Sequence, residues 1–594
     1  MNSASQRISC GTATPSLLAS TVTLAGWVHR RRDHGGIIFL DLRDHEGITQ
    51  ILIAPTQVEV FAQAESLRSE DVVRIVGRVQ ARPAGTENER LSTGAVEIAA
   101  EQLTVLTRSA TPPFPVANDD DIDETVRLRY RYLDLRRTRM QRNLRTRHRV
   151  IKVLRDYFDQ HGFIEVETPL LIKSTPEGAR DYLVPSRIHQ GEFYALPQSP
   201  QLLKQILMIG GIGRYMQIAR CLRDEDPRAD RQPEFTQIDV EMSFIEQEDV
   251  MQIMEGAVVT AWRDALGIDI PTPLPRLSYE EAMRRFGNDK PDLRFGLELV
   301  DVAELFADSS FTTFRDVAAQ GAATRIIALR YPGAASLSRR DFDALQERAK
   351  EFGAKGLAYI TIGPEIRGPI AKFLSEQERT GILAVTGAED GDAILFIADR
   401  KNAASDVAGR LRNEIGERLG LRDPARFAFC WVVGFPLFEH DPETGAITFA
   451  HHPFTAPLPG QEAHFDSDPL SLRAQHYDLV LNGFELGSGS IRNHDAAFQR
   501  KIFHHLGLDD TEIENRFGFF TTALTYGAPP HGGMALGIDR VVMLACGETS
   551  IRDVIAFPKN QNARDVMMDA PSPIPAANLK ELHITISEVQ PDQK

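Results

Sequence analysis

The sequence predicts a multidomain α+β protein, and three observations carry that prediction. A chain of 594 residues is too long for one hydrophobic core, so three or four domains are expected. Its first hundred residues alternate apolar and polar positions with the period of β-strands, whereas the region from about Met140 mixes helical stripes with strands. From about 296 to 425 the texture changes to short α/β elements with no dense motif, as expected of an inserted domain. With 42% hydrophobic and 25% charged residues the composition is that of a globular protein. No apolar run reaches the roughly 18 residues that a membrane span needs.

The elements follow in order. Met1-Asn-Ser-Ala-Ser-Gln-Arg7 has no hydrophobic stretch of the signal-peptide kind and reads as a short disordered lead. Val22–Val28, Ile37–Leu42 and Ile48–Ile53 read as strands, Val58–Leu67 as a helix, and Val72–Val79, Val96–Ile98 and Leu103–Leu106 as further strand segments. Gly35-Gly36 and Glu46-Gly47 supply turns. Five strands with a helix between the third and fourth is the order of an OB-fold, a barrel that often binds oligonucleotides. Thr111–Pro115 and Asp119–Asp123, rich in proline and acid, read as an extended linker. A helix over about 140–160 places Leu144, Ile151, Leu154 and Phe158 on one stripe and ends at Gly162. Phe163–Pro169 reads as a strand stopped by proline. Residues 196–245 combine a helix over Gln201–Met208 with strands ending at Phe244. Arg325–Arg330 and Ala393–Ala398 are strands of the insertion, and motif-rich sequence resumes at Phe427–Val433 and runs to about Pro558.

Four scattered cysteines, Cys10, Cys221, Cys430 and Cys546, lack Cys-x-x-Cys spacing, which argues against structural zinc and a disulfide framework and points to a reducing cytoplasm. The net charge of −16 does not by itself suggest a nucleic-acid partner; a polyanion binder with this balance must concentrate its positive charge locally. Ten arginines between Arg127 and Arg149, opposed only by Asp134, form such a concentration and read as a phosphate-facing or interface surface; a solvated helix face is the plainer reading.

Chemistry concentrates at two distant points, Arg223-Asp224-Glu225 and Gly537-Ile538-Asp539-Arg540, with Asp478 and Glu485 between them. Two arginines able to clamp phosphates, with carboxylates able to hold magnesium, are the parts needed to activate a carboxylic acid with ATP. The same residues also suit ordinary surface ion pairs. No Gly-x-x-x-x-Gly-Lys-Ser/Thr loop, dinucleotide fingerprint or internal repeat is present.

Taken together, these segments resemble a class II aminoacyl-tRNA synthetase of the bacterial aspartyl type. Gly162–Pro169 resembles the family's motif 1, Arg220–Asp226 through Arg231–Phe235 motif 2, and Gly537–Arg540 motif 3. Leu196–Lys204, His451-His452-Pro-Phe-Thr455 and Gly487–Arg492 carry the subclass resemblance, which covers nearly the whole chain, insertion included. The implied layout is an OB-fold anticodon domain over 1–108, a hinge over 109–140, a catalytic domain with an antiparallel sheet over 141–295 and 426–559, a GAD-type insertion over 296–425 and a C-terminal extension over 560–594. It implies a cytoplasmic homodimer that uses ATP with Mg2+ and no zinc, takes L-aspartate and tRNA(Asp), and has no membrane partner.

The resemblance also implies roles. Arg223 holds the α-phosphate and the substrate carboxylate, and Arg540 the γ-phosphate. Asp478 and Glu485 bind magnesium. Glu225 receives the adenine amine, Gln232 sits near the nucleotide and Phe235 stacks on the base; Asp224, Gly537, Ile538 and Asp539 complete the ATP site. Lys204 and Arg492 clamp the side-chain carboxylate of aspartate, while Ser199, Gln201 and Asp239 receive its ammonium. Glu177 lies in the family's mobile loop, and His451 completes the pocket, with His452 the adjacent alternative. Two cations facing one carboxylate reject asparagine, so no editing domain is required. In the barrel, Phe39 stacks on an anticodon base beside Arg32, Gln50 and Glu97. His34 and the loop at Gly85 resemble relatives that also charge tRNA(Asn), because a donor/acceptor at His34 relaxes the choice between anticodons that differ only in their last base. The rivals are a synthetase restricted to tRNA(Asp), an asparaginyl enzyme, a tRNA-independent ligase on the same fold, and a non-catalytic RNA-binding paralogue.

Overall fold

The computed structural model describes residues 6–118, 121–175, 178–441 and 444–587. The chain divides into two units: one comprises residues up to Arg147 with Asp226–Ala229 and Ser550–Ile574, the other His148–Glu225, Asp230–Thr549 and the segment from Pro575.

In the first unit, strands Thr21–His34, Ile37–Arg43, Ile48–Ile53, Val72–Ala81 and Val96–Thr107 form a sheet with helix Val58–Glu65 between the third and fourth. Thr21–His34 pairs on one side with Ile37–Arg43 and on the other with Val72–Ala81, which closes the sheet into a barrel. Every second residue of the first strand points inward, so Val22, Leu24 and Val28 join Ile38, Leu40, Ile51, Val73 and Ile75 in one core. The OB order read from the sequence is therefore the observed one.

The arginine run behaves differently from its phosphate-facing reading, because much of it is turned inward. Buried Asp134 pairs with Arg127 at 3.2 Å, Arg131 at 2.5 Å and Arg137 at 3.3 Å. Arg131 also donates to the carbonyls of Arg552, Ile555 and Ala556 at 2.6, 2.7 and 2.9 Å, and Arg127 and Arg139 reach Asp553. Guanidinium groups suit this task because their fixed fork satisfies several backbone acceptors at once. Carbonyls and acids more than 400 residues downstream are the partners that local sequence conceals.

The second unit is built on an eight-stranded sheet in the order Arg276–Ser278, Phe429–Val433, His476–Leu481, Phe484–Ile491, His531–Gly537, Glu234–Ser243, Arg214–Leu222, Ile164–Glu165. The two outermost pairings are parallel and the five central ones antiparallel. The helix expected over 140–160 spans Thr138–Gln160 and buries Leu154 and Phe158. The strand expected over 163–169 shrinks to Ile164–Glu165, because its pairing with Arg214–Leu222 holds only two residues before Pro169. Within this unit, residues 300–400 form a separate four-stranded antiparallel sheet ordered Val300–Asp301, Thr324–Tyr331, Ala393–Arg400, Ala358–Thr361, with an apolar core on each face. Helix Lys401–Arg418 packs on one of those faces.

Candidate active site

Register places the site on one face of the large sheet. Along Glu234–Ser243, Phe235, Gln237, Asp239 and Glu241 share a face because successive side chains alternate. Opposite them stand Gly537, Ala535 and Gly533, residues with a methyl group or no side chain at all. A Cβ at Gly533 would lie 2.1 Å from Glu241 Oε2, so only glycine lets that carboxylate fold across the strand. Ser488 and Ser490 face the same side opposite Ala535 and Gly533, and Asp478 and His476 lie opposite those serines in turn.

At one end of this face lies a buried charge cluster. Helix Gln201–Ile209 points Lys204 at Asp239 at 2.7 Å and Glu241 at 3.2 Å. Arg492 engages Glu241 through Nε at 2.9 Å and Nη2 at 3.1 Å, and donates from Nη1 to Ser490 Oγ at 2.6 Å. Lys204 is 1% exposed and Arg492 2%, so neither cation is hydrated in the usual way; the two acids are what keep them buried and charged. Burial raises the carboxyl of Asp239 against the pull of Lys204. For Glu241 burial acts in the same direction, but Arg492 and Lys204 outweigh it and hold the group low.

The imidazoles divide between two neighbourhoods. His452 Nε2 lies 2.9 Å from Arg492 Nη1, while His451 stacks on His476 with ring centroids 3.6 Å apart. His476 meets Asp478 Oδ1 at 3.0 Å. Burial pushes His451 and His476 down to about 3, so both are neutral at physiological pH. Asp478 is pushed up to about 8 by burial and by the nearby charge of Glu485. Glu485, although burial opposes its ionisation, is held low by Lys290, 3.0 Å from Oε2, and by Arg540.

At the other end, Arg223 follows strand Arg214–Leu222, anchored by its N–H on the Pro233 carbonyl at 2.8 Å. Its guanidinium lies 5.1 Å over the Phe235 ring, a cation–π contact that fixes its direction. Arg540, in the first turn of helix Ile538–Cys546, donates to the Glu485 carbonyl and meets Asp230 at 3.2 Å. Glu225 pairs with Arg231 at 3.2 Å and Asp224 with Arg180 at 3.9 Å; Gln232 is buried. Asp539 accepts from the Thr236 N–H at 2.8 Å and Ile538 is fully buried, so these two tie the helix to the sheet. Ser199 is half-buried beside the helix carrying Gln201 and Lys204, and Glu177 lies outside the described residues.

Four buried polar atoms without a hydrogen-bond partner among the described residues belong to residues assigned to this site from sequence: Gln201 Nε2, Arg223 Nε, His451 Nε2 and Arg540 Nε. Buried polar atoms are normally satisfied. These four stand on helices and loops beside the sheet face, where a polar ligand would satisfy them. Among the described residues no cluster of three or more metal-ligating side chains occurs. Asp478 and Glu485 nonetheless fit a magnesium ion that arrives with phosphates. A hard cation of this kind takes one or two protein carboxylates and fills its shell with phosphate oxygens and water, and its charge would oppose both the burial and the Glu485 repulsion that raise Asp478.

The comparisons with known proteins agree with this geometry. Residues 123–561 match the family described as tRNA synthetases class II (D, K and N), and residues 22–106 match an OB-fold nucleic acid binding domain. The chain belongs to the class II tRNA synthetases. Among relatives of this synthetase, the aspartate–tRNA ligase of Geobacillus kaustophilus is 51% identical over 580 residues, covering 97% of this chain and 98% of that one. The aspartate–tRNA(Asp/Asn) ligase of Thermoanaerobacter pseudethanolicus is also 51% identical, over 579 residues and the same shares. The asparaginyl-tRNA synthetase of Pyrococcus horikoshii complexed with asparaginyl-adenylate has a TM-score of 0.59 at 20% identity, covering 93% of this chain and 98% of that one; it speaks for the fold alone.

In the synthetase's barrel, Arg32 bonds Asp41 at 2.6 Å and Gln50 at 3.2 Å, Gln50 bonds Glu97 at 2.8 Å, and Gln80 bonds the other Glu97 oxygen at 2.8 Å. Phe39 stands half-buried opposite Arg32 in the strand pairing, outside the barrel core, while His34 is exposed at the end of strand Thr21–His34 and Gly85 is exposed in a turn. Sequence reading missed Glu241, His476, Lys290 and Gln80, and named His452 only as the alternative to His451. Glu241 had a signal, since Gln237, Asp239 and Glu241 put three polar groups at period two in an otherwise apolar strand. The others had none, because their roles come only from what they touch.

Proposed function

We propose that this synthetase condenses L-aspartate with ATP to aspartyl-adenylate and pyrophosphate, then transfers aspartate to the 3′ end of tRNA(Asp) and also of tRNA(Asn). The observation that carries the substrate assignment is the pair of buried cations, Lys204 and Arg492, locked by Asp239 and Glu241 on the floor of the sheet. A short dicarboxylic amino acid offers a side-chain carboxylate to those cations and an ammonium to Asp239, Gln201 and Ser199. Asparagine offers a neutral amide whose N–H donors would face the donors of Lys204 and Arg492, a mismatch that polar sites reject by about 10⁴–10⁵.

The reacting carboxylate is already a nucleophile, so no general base is assigned. Arg223 orients the substrate α-carboxylate against the α-phosphate and neutralises charge as the new phosphorus–oxygen bond forms and pyrophosphate leaves. Phe235, braced by Arg223, stacks on the adenine, Glu225 and Gln232 read the nucleotide, and Arg540 holds its far phosphate. Asp478 and Glu485 are the residues that would hold magnesium, which would supply positive charge to the phosphates of ATP. His451 completes the aspartate pocket, while His452 positions Arg492.

Dual tRNA specificity is supported by His34, an exposed donor/acceptor, and by the Asp/Asn names of several relatives. A homodimer is supported by the apolar residues Ile164, Leu170, Leu171, Leu183 and Phe193, which are solvent-exposed in the second unit around motif 1. No helix among the described residues is long and apolar enough to cross a membrane, and four scattered cysteines without Cys-x-x-Cys spacing favour a reducing cytoplasm. Charging of purified tRNA(Asp) and tRNA(Asn) transcripts with radiolabelled aspartate tests the function: comparable plateaus on both are expected. Charging of tRNA(Asp) alone would refute dual specificity, and charging of neither would refute the function.

A further inference from the structure

The inserted domain holds one loop that ends at the catalytic carboxylates. Arg412, fully buried on helix Lys401–Arg418, hydrogen-bonds no acidic side chain among the described residues; its Nη2 donates to the carbonyls of Asp292, Phe295 and Gly296 at 3.0, 2.9 and 2.8 Å, and its Nε to that of Leu297 at 3.2 Å. Gly287, at φ +77°, begins the same loop against the same helix: a Cβ there would come 2.2 Å from the Ser405 carbonyl oxygen and 2.8 Å from the Gly409 backbone. The loop's other side rests on the hairpin before Glu485, where a Cβ on Gly483 would stand 3.5 Å from Asp292 Cβ. Between these anchors Lys290 reaches Glu485 at 3.0 Å.

That ion pair is partly open to solvent, and such pairs stabilise a fold little. Its consequence is local. The oxygen that Lys290 occupies is one of those the magnesium reading assigns to the metal, and an ammonium and a dication exclude each other from a single carboxylate oxygen. Lysine's flexible stem and single point charge suit a group that must withdraw, where arginine's fork would not. We propose that Lys290 competes with the divalent cation for Glu485, and that the inserted domain, through Arg412, sets the strength of this competition and so the affinity of the site for metal and nucleotide. The proposal rests on the reading that Asp478 and Glu485 take the cation that comes with ATP.

The test is Mn2+ binding, followed by the paramagnetic resonance of free Mn2+ with the full-length enzyme and a non-hydrolysable ATP analogue. When a site is competent only part of the time, its apparent affinity falls by that fraction; Lys290→Met is therefore expected to tighten Mn2+ about tenfold. Lys290→Gln should do the same, so the result does not depend on one variant folding. Arg412→Lys, which loosens the loop without touching the site, should shift Mn2+ affinity in the same direction by less. Glu485→Gln separates the two ideas. If it binds Mn2+ like the wild type, the magnesium reading falls and takes the proposal with it. If it loses Mn2+ while Lys290→Met binds as before or more weakly, competition is overturned and the magnesium reading stands.

Discussion

Arg492→Leu is expected to raise the aspartate KM about 10²-fold or more while leaving the ATP KM nearly unchanged. The guanidinium is buried, bidentate to Glu241 and further fixed by Ser490 and His452, so its remaining hydrogen-bonding direction is set before substrate arrives. Truncating one partner of a buried charged contact costs about 2–5 kcal/mol, and each 1.4 kcal/mol is tenfold in affinity. The substitution has a second effect, because Glu241 is fully buried and would keep only Lys204 as counter-charge. Breaking a buried pair from one side destabilises a protein by roughly 3–5 kcal/mol, so a lower thermal midpoint is expected as well. The two effects separate kinetically: loss of folded enzyme lowers the apparent kcat at saturating aspartate, whereas loss of the clamp raises KM. Steady-state ATP–pyrophosphate exchange with aspartate and ATP varied in turn reads both. An unchanged aspartate KM in folded Arg492→Leu would remove the residue from the pocket.

Arg223→Ala is expected to lower the rate of adenylate formation about 10²- to 10³-fold, the usual cost of removing a preorganised group aimed at charge that develops in the transition state. The side chain is held by packing over Phe235 and its backbone by the Pro233 carbonyl, and its buried Nε has no hydrogen-bond partner among the described residues. Little of its binding capacity is therefore committed to the fold, and stability should change little. Arg223→Lys keeps the charge but loses the fork and should recover only part of the rate. Single-turnover formation of the adenylate is the measurement, because it isolates the chemical step; a loss below tenfold for alanine would assign Arg223 to the nucleotide-loop architecture instead.

Much of this was legible in the sequence because strand period and turn chemistry are local. The barrel's five strands and helix and the strand carrying Asp239 follow from alternation and from turn residues, whereas the strand carrying Asp478 is buried at every position and shows no alternation. What local pattern does not encode is who pairs with whom. Lys204 and Arg492 read as a clamp, but the acids that hold them buried come from a strand reached only through the register of the large sheet. The arginines near residue 131 look like a polyanion surface until Asp553 and the carbonyls of 552, 555 and 556 fold onto them. His451 and His452 are neighbours in sequence, yet one stacks on His476 and the other touches Arg492. Lys290 sits in a loop with no motif around it, and its contact with Glu485 emerges only in the folded chain, where Arg412 of helix Lys401–Arg418 bonds the Asp292 carbonyl of the same loop.

The central claim is that a cationic floor selects an amino acid with a carboxylate side chain. Amino-acid-dependent ATP–pyrophosphate exchange by the purified chain, run in parallel with L-aspartate and L-asparagine and without tRNA, tests it most directly. Robust exchange with aspartate and none above background with asparagine is the predicted result. Equal exchange with both, or exchange with asparagine alone, would contradict it.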